Sequence, residues 1–343
     1  MKEELRTIEC KRLLDNNKET EETTMKRCIL LTLAMLFLFA GAGCSQPRID
    51  ENDAEQLHAA GGESTSDENA NASEPAARYF INASDAVQAD FFTGLSELGQ
   101  LTALNGGEVK RISSKNAAAT KVIDIDGETY EAEYQWTETD SGDPEGENVL
   151  FRYGSYDHYK LTTDAFTVVL DYLSGTDMLA GYVFEPADET GYEDVEIDLD
   201  EARNVFKGFV ADTMKYDLSK YSAIREIEDS DGSYCFIYSV ETEGIPTNDT
   251  IVVGVARSGY IYGVSAKEAG ISGYFAQPSI EKVEAGINSI LEYMHEKLGD
   301  KAEDTGTRSI CFGNDGKIYA AVKFASKSGP DDLATAFTVY TQI

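Results

Sequence analysis

The sequence predicts an α+β protein in which helices are each followed by an antiparallel β-meander, two to three times over. Three observations predict it. Asp-Gly pairs recur ahead of alternating, aromatic-rich segments, each such segment is followed by another that opens on an aspartate, and apolar stripes at helical spacing precede the pattern. Asp-Gly between alternating apolar runs marks a tight hairpin, because glycine accepts the positive φ that the turn needs.

The hairpin signals stand at Asp126-Gly127 before Tyr130, Tyr134 and Trp136, at Asp231-Gly232 before Tyr234, Phe236 and Tyr238, and at Asp315-Gly316 before Tyr319 and Phe324. The following strands open at Asp164 before Phe166, Val168 and Leu170, at Asp249 before Ile251, Val253 and Val255, and at Asp332 before Phe337 and Val339. Positions 231 and 315 are 84 residues apart, and positions 249 and 332 are 83 apart. The first unit takes 38 residues from aspartate to aspartate where the second takes 18, so it carries an insertion of 20.

Helices precede the meanders. Ile280, Val283, Ile287, Ile290, Leu291, Met294 and Leu298 recur at spacings of three and four and form one apolar stripe, with Ser279 as the expected N-cap. Leu199, Ala202, Phe206, Phe209, Val210 and Met214 do the same, with Asp198 and Glu201 in capping-box positions. A weaker helix is expected over 84–98, interrupted at Gly94 and ending at Gly99. Each helix would cover one face of its own sheet, or the sheets would merge.

Ahead of the folded part lies an export signal. Lys26 and Arg27 precede an apolar run over 29–40 that is too short for a permanent membrane helix of about 20 residues. Small residues then lead to a cysteine, in Ala40-Gly41-Ala42-Gly43-Cys44-Ser45. This resembles the lipobox, with Gly41 standing where that motif prefers leucine, and it implies that Cys44 is lipidated and becomes the first residue of the mature protein. The competing readings are an ordinary signal peptide cut near Gly43 and an uncleaved anchor. The expected organisation is therefore a mis-assigned N-terminal extension over 1–24, a lipoprotein signal peptide over 25–43 and a flexible acidic tether over 44–78. Three α+β units follow, over 79–190 with an insertion at about 139–160, over 191–270, and over 271–343.

Charge narrows the partners. The chain has 62 acidic and 29 basic residues, a net of -33, and removal of residues 1–43 leaves that balance unchanged. Such a field repels nucleic-acid phosphates, so no nucleic-acid partner is expected. Basic proteins, cations or plain solubility fit it. Beyond Cys44 the mature chain keeps Cys235 and Cys311, expected as buried free thiols unless an oxidising exterior joins them.

The chain from roughly residue 160 onward resembles PepSY-like modules of exported bacterial proteins, including peptidase propeptides. Leu170-Asp171-Tyr172-Leu173-Ser174-Gly175 is similar to that family's Val-Asp-x-x-Thr-Gly turn, and Val255-Ala256-Arg257-Ser258-Gly259 to a shortened version without the aspartate. Asp198-Leu199-Asp200-Glu201-Ala202 resembles its helix start. The likeness covers roughly 160–343 and implies cystatin-like helix-plus-sheet units. It also implies a binding or inhibitory role at the cell exterior, with an exported protein or peptidase as the partner class. No catalytic residue carries over, because the family's turn is structural.

Chemistry has few candidates. The three histidines are His58 in the tether, His295 on the polar side of a helix, and His158. His158 is the one plausible base, and it lies in an aromatic cluster of which Arg152, Tyr153, Tyr156, His158 and Tyr159 form the candidate binding set. An extra aromatic hairpin explains the same residues. An extracytoplasmic hydrolase using carboxylates near His158 is the competing function. No cofactor is expected; Asp124, Asp126 and Glu128 form the calcium candidate, although the segment does not continue into an EF-hand loop. The acidic stretch 138–147, with Asp140, Asp143 and Glu145, reads as a weaker cation site or a solvated loop.

Overall fold

A computed structural model describes residues 78–82, 94–104, 109–125, 127–140, 154–187, 196–229, 232–326 and 336–343. The signal peptide, Cys44, the tether up to residue 77, Asp126, Arg152, Tyr153, Asp143 and Glu145 lie outside them, as does most of the expected helix over 84–98.

Fifteen strands join in one mixed sheet among the described residues, and two α-helices pack on it. The strands are β1 (Tyr79–Asn82), β2 (Thr102–Leu104), β3 (Val109–Ile112), β4 (Thr120–Ile125), β5 (Glu128–Asp140), β6 (Tyr156–Thr162), β7 (Phe166–Leu173) and β8 (Leu179–Pro186). The rest are β9 (Ser222–Glu228), β10 (Tyr234–Thr242), β11 (Ile245–Val255), β12 (Ile261–Ser265), β13 (Ala302–Phe312), β14 (Ile318–Ser326) and β15 (Ala336–Gln342). The helices are α1 (Leu199–Gly208) and α2 (Ile280–Leu298). None of the described helices is long and apolar enough to cross a membrane.

This corrects the expectation of separate helix-then-meander units repeated two to three times. Neighbouring groups of strands share edges. β8 pairs with β12 through Gly263 and Val183, β11 meets β13 at Thr247 and Ile310, and the N-terminal β1 pairs antiparallel with β15. The physical reason lies in the edges. An unpaired strand edge exposes N–H and C=O groups that need partners, and here each group of strands supplies them to the next.

The Asp-Gly turns form through their glycines. Gly127, Gly232 and Gly316 have φ of 81°, 80° and 78°, and the first turn joins Ile125 to Glu128 with two residues between them. Asp198 and Glu201 form a reciprocal capping box at the start of α1. α1 then widens into a π-helical turn over Phe209–Met214 that ends on left-handed Lys215. Ser279 precedes α2 in extended conformation, but its side chain makes no capping hydrogen bond.

Two apolar cores follow from the helices. Ala202, Phe206, Val210 and Met214 pack on Phe236, Tyr238, Ile251 and Val253, with the Phe206 and Phe236 rings stacked at 4.9 Å. Val283, Ile287, Ile290, Met294 and Leu298 pack on Ile310, Val322, Phe324, Phe337 and Val339. Full burial of each large apolar side chain contributes about 1.5–3 kcal/mol, so each stripe holds its helix to the sheet.

Candidate functional site

The site lies on a row that crosses five strands. Trp136 on β5, His158 on β6, Asp171 on β7, Gly181 on β8 and Ser265 on β12 stand opposite one another in register. Their side chains therefore share the sheet face opposite α1. The adjacent Tyr159, Leu170 and Tyr172 point the other way, into the core under α1.

On this row His158 is held at both ends. Its Nδ1 is 2.6 Å from Asp171 Oδ1 and its Nε2 is 2.9 Å from Glu138 Oε2. Lys267, in the turn after β12, places Nζ 3.0 Å from Asp171 Oδ2 and 4.0 Å from Glu138 Oε1. Trp136 stacks on the imidazole at 5.2 Å, and the Arg111 guanidinium lies over the indole at 4.7 Å. Tyr156 donates its hydroxyl to the Lys267 carbonyl, and the Lys267 ammonium sits 5.5 Å from the Tyr156 ring centre. Two acids and two bases thus close a charge cluster in which Lys267 is the most exposed member, at 28%.

Electrostatics follow from that enclosure. Burial alone would push the His158 pKa down, but the hydrogen bonds to Asp171 and Glu138 and the Asp171 charge outweigh it and raise it. Burial would likewise raise Asp171, yet the Lys267 charge and the His158 hydrogen bond hold its carboxyl far below the usual range.

A second buried carboxylate lies on the opposite face, where Asp157 accepts from Thr137 at 2.6 Å and from Ser174 at 2.9 Å. Ser174 belongs to the PepSY-like turn, in which Gly175 has φ of 75°. A third, Asp249 on β11, accepts from Tyr221, from the Gly270 and Ser272 amides and from the Ser272 hydroxyl.

Of the residues singled out in the sequence, the structure brings His158 and Tyr156 together on this face and turns Tyr159 to the other. Tyr156 and Tyr159 are each 1% exposed, so neither ring offers a face to a partner. Asp124 accepts from Thr129 at 2.7 Å, and Glu128 accepts from Tyr130 at 2.7 Å. No group of His, Cys, Asp and Glu among the described residues is placed to hold a metal ion. Cys235 and Cys311 are unpaired.

Sequence reasoning missed Asp171, Glu138 and Lys267 as partners of His158. Asp171 stood in the quoted turn as a structural residue, and Glu138 opened the acidic stretch 138–147. Only strand register could have aligned them, and register was not readable from alternation.

Fold and site together define a mostly-β protein with a clamped histidine on β6, the third strand from one end of the strand order. No family model and no curated protein matches the chain. Among solved structures it is similar to the C-terminal domain of Bacillus megaterium YpeB, at 13% identity and a TM-score of 0.29, over 76% of this chain and 92% of that one.

Proposed function

We propose that this chain is an exported lipoprotein, tied to the cell membrane through lipid on Cys44 and acting on the extracytoplasmic side as a non-enzymatic, PepSY-like binding or inhibitory module. The anchor is supported by the apolar run 29–40, the small residues before Cys44 and the polar segment after it. The non-enzymatic half rests on one observation. Both ring nitrogens of His158 already meet carboxylates, at 2.6 and 2.9 Å, so no nitrogen is left to take a proton from a nucleophile or water. That favours binding over the hydrolase reading. The net charge of -33 suits a basic partner surface.

Cells expressing the full chain and grown on a labelled fatty acid test the anchor. The wild type is expected to take up label and to sediment with membranes, and Cys44→Ala to do neither. An unlabelled wild type contradicts the lipoprotein reading.

A further inference from the structure

We propose that the cleft at the C-terminal end of α2 is a docking site for an arginine side chain of a basic partner peptide. This rests on the reading of the chain as a binding module with a basic partner, and it says where that partner is held. The cleft measures about 420 Å³ and opens where the chain leaves α2 and turns into β13. A space of that size suits a side chain or a small molecule. Its floor is apolar, with Leu291 and Ala302 half-buried beside the buried Met294 and Phe324. Asp300, Glu303 and Asp304 line the same cleft.

Charge selects the occupant. α2 ends here, and its last carbonyls present the negative end of the helix dipole. Asp300 and Glu303 are exposed, and neither makes an ion pair or a side-chain hydrogen bond. The bases nearby are already engaged. Lys301 meets Glu97 at 2.5 Å, and Lys297 lies 3.9 Å from Glu296 and 5.8 Å from the Tyr293 ring centre. Arg308 meets both oxygens of Asp304, at 2.7 and 2.5 Å, and Asp304 also accepts the Gly306 amide at 2.9 Å, which fixes that wall of the cleft. Two unmatched carboxylates therefore line a space with an apolar floor. A metal ion does not fit, because no group of His, Cys, Asp and Glu among the described residues is placed to hold one. An arginine fits: its methylene stem lies along apolar surface while its planar guanidinium offers forked donors to carboxylates. Lysine brings only a compact, strongly hydrated point charge.

Fluorescence anisotropy of a dye-labelled Leu-Arg-Leu-Arg peptide, titrated with the full chain, tests the assignment. Asp300→Asn combined with Glu303→Gln is expected to weaken binding about three- to tenfold, the effect of losing two exposed ion pairs. Both residues are exposed and unpaired, so this variant is expected to fold. Glu281→Gln combined with Glu284→Gln removes the same charge near the start of α2 and is expected to leave the affinity unchanged. If the first pair has no effect, or both pairs weaken binding equally, the cleft is overturned while a basic partner still stands. A peptide that no form of the chain binds overturns both. A Leu-Lys-Leu-Lys peptide that binds as tightly overturns the choice of arginine. Sedimentation of the chain alone covers the other occupant: a dimer that the Asp300 and Glu303 substitutions split gives the cleft to a second copy and overturns the partner peptide.

Discussion

Gly181 lies directly beneath the carboxylate of Asp171: a Cβ on Gly181 would come within 2.6 Å of Asp171 Oδ2 and 3.0 Å of its Cβ and Cγ. The two residues are register partners on β8 and β7, and Asp171 is pinned from above by Lys267. The missing side chain on β8 is what lets the carboxylate lean across and reach the cluster.

Gly181→Ala is therefore expected to cost about 1–3 kcal/mol, the range for forcing one extra carbon into a filled place. Denaturant unfolding measures it. Unchanged stability would mean that Asp171 can move aside freely, contrary to its pinning.

Gly286 in α2 sets two effects against each other. Alanine is the better helix former by about 0.8–1 kcal/mol, but a Cβ there would stand 2.5 Å from Ile343 Cγ2 and 2.9 Å from Ala320 Cβ. Overpacking costs about 1–3 kcal/mol and is expected to win, so Gly286→Ala lowers the melting temperature. A raised one would show that α2 can lift off β14.

Asn248 is the splice between β11 and β13. Its amide receives the Phe312 N–H at 2.8 Å and donates to the Phe312 carbonyl at 3.1 Å, beside the single ladder contact of Thr247 with Ile310. Asn248→Ala leaves a buried amide without its partner, which costs about 1–3 kcal/mol. Amide exchange at Phe312 is expected to quicken far more than at Ile251 in the first core; equal protection at both would mean that Asn248 does not join them.

Local features were legible in the sequence where their cause is local. The capping box at Asp198 and Glu201, the apolar stripe of α2 and the left-handed glycines after Asp231 and Asp315 depend on residues a few positions apart. The merged sheet was not legible. It depends on the pairing of β1 with β15 and of β8 with β12, contacts between segments far apart in the chain that alternation does not encode. The site followed the same division: His158 stood out by its rarity, while its partners arrive from β5, β7 and the turn at Lys267. The aromatic residues around it fit, by sequence, either a contact surface or an extra hairpin, and in the structure Tyr156 and Tyr159 are buried.

The clamp also sets a pH dependence. His158 has a raised pKa in the folded chain, so the stability it contributes is full below the unfolded value of ~6.5 and is lost as pH rises through the folded value. Asp171 works in the opposite sense: its lowered pKa contributes stability above the unfolded value of ~3.9 that is lost only in strong acid. Thermal unfolding is expected to move to lower temperature as pH is raised above neutrality, and His158→Asn to remove that slope. A wild-type melting temperature that is level across this range contradicts the linkage.

The thiols give a separate check on the cores. Burial pushes Cys311 up to about 12, and burial together with the Asp229 charge pushes Cys235 up to about 11. Both are expected to resist alkylation at neutral pH until the chain unfolds, Cys311 more strongly because it is buried where Cys235 is only half-buried. Rapid labelling of Cys311 in the native protein would show that its side of β13 is open.

The central claim is that His158 is a clamped imidazolium and not a free base. Nitrogen-15 shifts of its ring in the folded protein near neutral pH test this most directly. Both nitrogens are expected at the protonated position, with one of them moving to the lone-pair position only above the ordinary imidazole range. One nitrogen at the lone-pair position at neutral pH would contradict the clamp and return His158 to the list of working bases.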